Sequence, residues 1–380
     1  MAVSWNMKSL FHIHRGILLR ILSAIIPLFV GCALGAGAAP MFCQEGDAPI
    51  GGHSQAAQTP LKCSRQVAVV EAKSDAMVAS LNKRGLVYES RDELDCALRE
   101  FDKAVELKPE SPALYNNRGL VYGEMGDPDR AIEDFDRALY LDPENAEALN
   151  NRGAAYAAEA RFDLALKDYG RALTLKPEYA EVLNNRGGAY TRMGDLAHAV
   201  ADYDQAIRLK PDYAEAHYNR GIALLRLGEF EESIADFDRL IRLKPRLADA
   251  YNLRGTAFNA QNKFDRAIED YDKAIRLNPN YAAAFANRAL AFLSIGQRDR
   301  AIQDFGNAIR LNPDSPETLN NRGSVYALEG QFDLAIQDFD EALRLEPGYT
   351  NALHNRARAY MQKAEEGRIA RNTRGTAVQQ

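Results

Sequence analysis

The chain has 380 residues and a formal net charge of −6, with 46% hydrophobic and 26% charged side chains. This balance supplies enough apolar surface for a folded core and excludes an intrinsically disordered protein. Residues 1–38 carry three basic side chains and no acidic one, so the remainder is more acidic than the whole chain and repels phosphate. We therefore expect no nucleic-acid partner.

The first 38 residues have the pattern of a membrane-targeting segment. Lys8, Arg15 and Arg20 precede an uncharged apolar run that ends in small residues, among them Ala36 and Ala38. A positive start, an apolar middle and an Ala-x-Ala pattern predict a secretory signal peptide cleaved after Ala38.

Two other interpretations of this segment stay open. The apolar run, Ile21–Ala39, is about 19 residues long and suffices for an uncleaved membrane anchor. Cys32, after Phe29-Val30-Gly31, also loosely resembles the lipidated cysteine of a bacterial lipoprotein. In each case the positive flank stays inside, so we expect the rest of the chain to be periplasmic or secreted and to meet the membrane only through this segment.

Residues 39–77 are rich in Gly, Ala, Gln and Pro, which predicts a flexible linker with a short helix near Val67–Ala79. Cys43 and Cys63 either close a disulfide loop in an oxidising compartment or remain free thiols. Cys96 has no evident partner, and the cysteine spacings do not indicate a metal site.

A 34-residue repeat begins at Val78. Eight prolines define its period: Pro109, Pro143, Pro177, Pro211, Pro245, Pro279, Pro313 and Pro347. With the proline at position 32, the repeats are 78–111, 112–145, 146–179, 180–213, 214–247, 248–281, 282–315 and 316–349. Such strict self-similarity indicates an array of helix pairs, here called helix A and helix B, in which each pair stacks on the next.

The residue types at fixed positions of the repeat resemble those of the tetratricopeptide-repeat family. Position 8 is Gly85, Gly119, Gly153, Gly187, Gly221, Gly255, Ala289 and Gly323, and position 20 is Ala, or Ser233 in the fifth repeat. Aromatic residues fill position 24 throughout and position 11 in all repeats but the fifth. The resemblance implies an all-α, right-handed superhelical solenoid over 78–349, a capping helix at 350–366 and a disordered basic tail at 367–380.

Three features of this repeat carry structural expectations. The small residues at positions 8 and 20 are expected to face each other where helix A crosses helix B. Five glycines are expected to end helix A in the left-handed conformation: Gly126, Gly194, Gly228, Gly296 and Gly330. Pro128 suits the first turn of its helix B, and the position-32 proline stops helix B.

Position 7, where the family usually has Leu, is Arg in all eight repeats: Arg84, Arg118, Arg152, Arg186, Arg220, Arg254, Arg288 and Arg322. Position 23 is acidic in all eight: Glu100, Asp134, Asp168, Asp202, Asp236, Asp270, Asp304 and Asp338. Because the two positions co-occur in every repeat, we predict an arginine–acid ladder between helix A and helix B. The alternative is a row of solvated charges that contributes little.

Position 6 is Asn in most repeats and in the capping helix: Asn117, Asn151, Asn185, Asn219, Asn287, Asn321 and Asn355. The repeats of O-linked N-acetylglucosamine transferases are similar in carrying an Asn ladder on the concave face, where it holds extended peptide main chain. The resemblance implies the same peptide-binding role here, since an amide offers a donor and an acceptor. The alternative is that these side chains are polar filler facing water.

No residue pattern in the chain points to catalysis. The four histidines after residue 38 lack metal-ligand spacing, and the glycines recur at packing positions instead of forming a phosphate-binding loop. We expect no enzyme, no cofactor and no metal. The expected function is a scaffold or adaptor of the cell envelope that binds a protein or peptide, with acids at position 2 favouring a basic or neutral ligand. The alternative is a chaperone-like holder of polypeptides in transit, and the oligomeric state stays open.

Overall fold

The computed structural model describes the backbone of residues 60–377 and the side chains of residues 74–368. Residues 1–38, with their signal, anchor or lipoprotein interpretations, and the Cys43–Cys63 pairing lie outside the described residues. From residue 60 to residue 377 the chain forms seventeen α-helices and no strand. None of these helices has an apolar stretch long enough to cross a bilayer.

The chain divides into two compact bodies, Met1–Leu175 and Lys176–Gln380. The helices of the first body are α1 (Pro60–Ser90), α2 (Leu94–Leu107), α3 (Pro112–Glu124), α4 (Pro128–Leu141), α5 (Ala146–Ala158) and α6 (Phe162–Leu175). Those of the second are α7 (Ala180–Met193), α8 (Leu196–Leu209), α9 (Ala214–Leu227), α10 (Phe230–Leu243), α11 (Ala248–Ala260), α12 (Phe264–Leu277), α13 (Ala282–Ser294), α14 (Arg298–Leu311), α15 (Pro316–Leu328), α16 (Phe332–Leu345) and α17 (Thr350–Ala377).

These helices confirm the predicted repeat. Each repeat contains one helix A and one helix B, and within each body a helix A packs on its own helix B and a helix B packs on the next helix A. Every helix B ends two residues before its position-32 proline, and Pro128 is the first residue of α4. The all-α solenoid fold predicted from the 34-residue period is therefore confirmed.

The two ends of the array differ from expectation. Helix α1 starts at Pro60, so residues 60–77, expected to be mostly linker, continue into helix A of the first repeat. Proline suits a helix start, and no further Pro or Gly follows until Gly85. At the other end α17 continues to Ala377, through residues 367–377 that were expected to be disordered. Gly367 alone does not end it, and Glu365 pairs with Arg368 one turn on, 3.7 Å away.

The close approach of helix A to helix B differs in one detail from expectation. The position-8 glycine faces the ring at position 24 instead of the side chain at position 20: a β-carbon on Gly119 would lie 2.7 Å from the Phe135 ring. The backbone carbonyl of the position-20 alanine comes close in two repeats, 3.2 Å from such an atom at Gly255. The seventh repeat accommodates Ala289 against Phe305, with both fully buried.

The turn from helix A to helix B requires a left-handed residue in every repeat. The five predicted glycines adopt it, with φ between 72° and 87°. In the remaining repeats Asp92, Ala160 and Asn262 do so, with φ of 66°, 59° and 58°. Asn and Asp tolerate this conformation, whereas alanine has no side-chain group to stabilise it.

Replacing Ala160 by glycine is therefore expected to raise the free energy of unfolding by about 0.5–1 kcal/mol, since relief of the left-handed strain exceeds the entropy that glycine loses. Urea unfolding followed by circular dichroism measures the change. The reciprocal control, Gly194→Ala, should lower stability by about 1 kcal/mol. Equal effects of the same sign in the two variants would contradict this account of the turn.

The predicted arginine–acid ladder is present in all eight repeats. The position-7 guanidinium donates from Nε and Nη2 to the position-23 carboxylate over 2.6–2.9 Å. The seven aspartates of this set are only 1–6% exposed, so the pairs are not the solvated charges of the alternative interpretation. The prediction is confirmed.

Titration behaviour follows from this burial. Hydrogen bonds to Asp134 raise the pKa of Arg118, which therefore stays charged. Burial raises the pKa of Asp134, while Arg118 acts against that rise. The aspartate thus depends on its arginine to remain ionised at neutral pH.

A second acid, which the sequence analysis did not identify, joins consecutive repeats. Nη1 of Arg118 donates to Asp102, at position 25 of the preceding repeat, over 2.8 Å. The same contact recurs at five further arginines: Arg152–Asp136, Arg220–Asp204, Arg254–Asp238, Arg288–Asp272 and Arg356–Asp340. Position 25 is glycine in the third and seventh repeats. In the seventh repeat Gly306 stands in place of the acid, so among the described residues the Arg322 guanidinium pairs only with Asp338 at position 23.

Candidate polypeptide-binding site

The seven predicted asparagines lie at position 6 of helices A. Six of them are half-buried, and Asn151 is buried with 4% of its surface exposed. They are therefore not polar filler fully exposed to water, and Asn151 is not accessible to a ligand.

A regular amide pairing explains this burial. The position-6 Nδ2 donates to Oδ1 of the position-5 asparagine in the preceding repeat, 35 residues earlier. Pairs of this kind within the two bodies are Asn117–Asn82, Asn151–Asn116, Asn219–Asn184, Asn287–Asn252 and Asn355–Asn320, at 2.9–3.0 Å. Each pair links helices A of successive repeats, so these side chains have a structural role before any ligand binds.

Part of the hydrogen-bonding capacity remains. An amide group offers two N–H donors and one acceptor oxygen. In Asn117, Asn219 and Asn287 the pairing uses one N–H, and no side chain of the described chain donates to Oδ1. Asn321 follows a repeat with Ala286 at position 5 and accepts only from Asn320, over 3.5 Å. This leaves donors and acceptors on Asn117 in the first body and on Asn219, Asn287 and Asn321 in the second.

The position-5 acceptors of these pairs have a structural role that was not predicted from the sequence. Four of these acceptors are buried, with 2–8% of their surface exposed: Asn116, Asn184, Asn252 and Asn320. They therefore connect neighbouring helices A and do not line the candidate binding surface. A recurring Asn-Asn dipeptide at positions 5 and 6, as in Asn116-Asn117, was the signal available for this pairing.

Some of the acidic side chains at position 2 form ion pairs with lysines. Lys210 neutralises Glu181 at 2.8 Å, and Lys244 neutralises Glu215 at 3.2 Å. Glu317 has no lysine in the equivalent place because position 31 of its repeat is Glu346, and burial raises the pKa of its carboxyl. The face is thus less acidic than the sequence indicates.

No group of three or more ligand-type side chains that suits a metal ion occurs among the residues described. His217, the buried histidine, contacts Asp236 at 2.7 Å through Nδ1 and the Pro211 carbonyl at 3.0 Å through Nε2. Its two ring nitrogens contact Asp236 of the same repeat and Pro211 at the end of the fourth repeat, which fits a structural role.

Sequence comparison agrees with this architecture. Family models described as TPR repeat match residues 85–126 and 189–228, and models described as tetratricopeptide repeat match residues 112–145, 146–179, 218–282, 252–297 and 286–350. The chain belongs to the tetratricopeptide-repeat family. A search of curated proteins finds no match.

Solved structures of similar fold include the Cut9–Hcn1 heterotetramer of the APC/C, with 19% identity and a TM-score of 0.54 over 70% of this chain and 52% of that one. This chain thus spans about half the length of that relative. A tetratricopeptide repeat protein from Parabacteroides merdae has 20% identity and a TM-score of 0.54, over 66% and 99% of the two chains. Pseudomonas aeruginosa pilF has 23% identity and a TM-score of 0.50, over 56% and 96%. At these identities the similarity to the solved structures shows the fold and nothing further.

Membership of the tetratricopeptide-repeat family supports a general function. Proteins of this family are protein–protein interaction scaffolds that bind protein or peptide partners and are generally not catalysts.

Proposed function

We propose that this chain is a scaffold of the cell envelope that holds an extended segment of a partner polypeptide along the position-6 asparagines of its second body. The observation that carries the proposal is the row of half-buried amides that keep a free N–H or oxygen after pairing with each other. Since main-chain amides of an extended peptide alternate donor and acceptor, a row of side-chain amides binds them with little dependence on peptide sequence.

The pairing between asparagines favours this role. Because Nδ2 of Asn219 is held by Asn184, and that of Asn287 by Asn252, each amide plane is fixed before a ligand arrives. A fixed side chain loses little conformational entropy on binding. Neutralisation of Glu181 and Glu215 by lysines favours a neutral segment over a strongly basic one.

The compartment is part of the proposal and rests on the sequence of residues 1–38. Mass spectrometry of protein purified from the envelope fraction would identify its first residue. We expect it to follow Ala38, and since Trp5 is the single Trp of the chain, the processed protein should show no indole fluorescence. Protein that starts at residue 1 and sediments with membranes would support the anchor instead.

The binding face is tested by crosslinking and pulldown from native envelopes. Asn321→Ala removes an amide that donates to no partner among the described residues. The paired variant Asn184→Ala/Asn219→Ala removes donor and acceptor together, so that neither is left buried and unsatisfied. We expect loss of the captured partner in the combined triple variant. Glu133→Ala/Glu269→Ala, exposed on helices B, is the control and should bind normally.

The outcome also separates the two binding roles. One stoichiometric partner supports a scaffold, whereas many weakly bound unfolded chains support a holder of polypeptides in transit. Unchanged capture by the triple variant, with its helicity intact, would place the binding site elsewhere.

A further inference from the structure

Helix α17 is a helix A that no helix B follows within the described residues. It continues the repeat numbering, with Thr350 at position 1, and packs on α16 through Ala352 and Ala359, both fully buried. Where complete repeats turn back after position 14, α17 continues as one helix to Ala377. Within the described residues the chain therefore does not return over the other side of this helix.

That other side, the open face of α17, consists of Leu353, Arg356, Ala357, Tyr360 and Met361. Leu353 at position 4 is 40% exposed and Tyr360 at position 11 is 52% exposed. Their equivalents in complete repeats, such as Leu319 at 4% and Phe292 at 2%, are covered. In the seventh repeat the cover comes from Ala301 and Phe305 of helix B, which cluster with Phe292.

The guanidinium of Arg356 pairs through Nη1 but, among the described residues, not through Nε or Nη2. This difference indicates the chemistry of the missing partner. Its Nη1 donates to Asp340 over 2.7 Å, as Arg288 Nη1 does to Asp272. In Arg288 the remaining Nε and Nη2 hold Asp304 of the same repeat, at 2.7 and 2.8 Å. No acid of the described chain takes that place at Arg356, so the open face lacks one carboxylate at a known position.

We propose that the open face of α17 binds an amphipathic helix of a partner protein with the pattern Ala-x-x-acid-aromatic, which completes a ninth repeat. The acid would bind Nε and Nη2 of Arg356, and the aromatic ring would lie over Ala357, as Phe305 lies over Ala289. All eight helices B of this chain are already packed in their own repeats. A second copy offers no such helix without unfolding, so the occupant is a different protein.

The test uses a fluorescent peptide with the α14 sequence Arg298–Leu311, because α14 is the helix B that packs on an alanine at position 8. A hydrocarbon staple on its solvent face holds it helical, since isolated helices of this length are marginal. Anisotropy titration with the full chain should show saturable binding of one peptide per chain. Arg356→Ala and Tyr360→Ala should each weaken it about tenfold or more.

A double-mutant cycle identifies the contact. Asp304→Asn in the peptide should weaken binding to the unchanged chain about tenfold but should not weaken binding further to the Arg356→Ala variant. Arg368→Ala, on an exposed part of α17 beyond the open face, is the matched control and should bind normally.

Three results would overturn the proposal: no saturable binding, equal binding by the Arg356→Ala variant, or a dimer of the chain that Tyr360→Ala dissociates. The last would make a second copy the occupant. The asparagine variants of the proposed polypeptide-binding site leave α17 unchanged, so failure of either proposal is distinguishable from failure of the other.

Discussion

Replacing Arg254 by alanine is expected to lower the free energy of unfolding by about 3 kcal/mol, because it leaves a buried carboxylate without its cation. Asp270, the partner of Arg254, is 5% exposed and accepts two hydrogen bonds from it, at 2.8 and 2.6 Å. Burial already raises the pKa of Asp270. Without Arg254, Asp270 either remains a buried unpaired charge, which lowers the stability of the folded state, or takes up a proton at neutral pH.

Urea unfolding at pH 7 and pH 5 measures this effect. The deficit of Arg254→Ala should shrink at pH 5, since a protonated Asp270 is no longer an uncompensated charge. Arg356→Ala is the matched control. Arg356 has the inter-repeat contact to Asp340, but no position-23 acid pairs with it among the described residues. We therefore expect this variant to lose less than about 1 kcal/mol of unfolding free energy. Equal losses in the two variants would mean that the ladder contributes as little as solvated surface pairs.

The converse substitution adds a contact. Gly306→Asp restores the position-25 acid beside Arg322 and replaces a glycine within helix α14. Better helix propensity and the added ion pair together should stabilise the chain by about 1 kcal/mol. Gly306→Asn supplies the propensity without the charge and should recover less than half of the gain.

The within-repeat contacts could be predicted from sequence because they recur in every repeat. The position-7 Arg and the position-23 acid, as in Arg118 and Asp134, occur together in all eight repeats, and this pairing is confirmed. The contact to Asp102 escaped prediction for a geometric reason. Asp102 precedes Arg118 by 16 residues and Asp134 follows it by 16, so spacing does not tell the two acids apart. Only the packing of helix B on the next helix A brings both to one guanidinium.

The candidate site was less predictable. The repeat pattern predicts a row of asparagines at position 6 of helix A, but the pairing of Asn219 with Asn184 depends on the distance between helices A of successive repeats. The sequence of one repeat carries no information on that distance. The left-handed turn at Ala160 was missed because alanine gives no local signal for it. The length of α17 was not predicted because Gly367 suggested the end of the helix, whereas the residues on both sides of Gly367 continue it.

Glu89 gives the second large prediction, a loss of stability as the pH rises. It is 8% exposed, and its Oε2 has no hydrogen-bond partner among the described residues. Burial, with a further contribution from the charge of Glu124, raises the pKa of Glu89 to about 7 from an ordinary 4.5. The folded state thus binds the proton more tightly than the unfolded state. Its contribution to stability is full below about pH 4.5 and is lost as the pH rises through about 7.

We expect Glu89→Gln to stabilise the chain by about 2 kcal/mol at pH 8 and by almost nothing at pH 4.5. This value is below the full linkage energy because Glu124 is only half-buried, so solvent screens the charge of the pair. Urea unfolding at several pH values measures it, and hydrogen exchange of the α1 amides locates it in the first repeat. Glu106→Gln, at an exposed position in α2 of the same repeat, is the control and should change the free energy of unfolding little. A stability gain for Glu89→Gln that does not depend on pH would contradict this account. It would mean that the Glu89 carboxyl stays neutral over the whole pH range because a contact stabilises the neutral form.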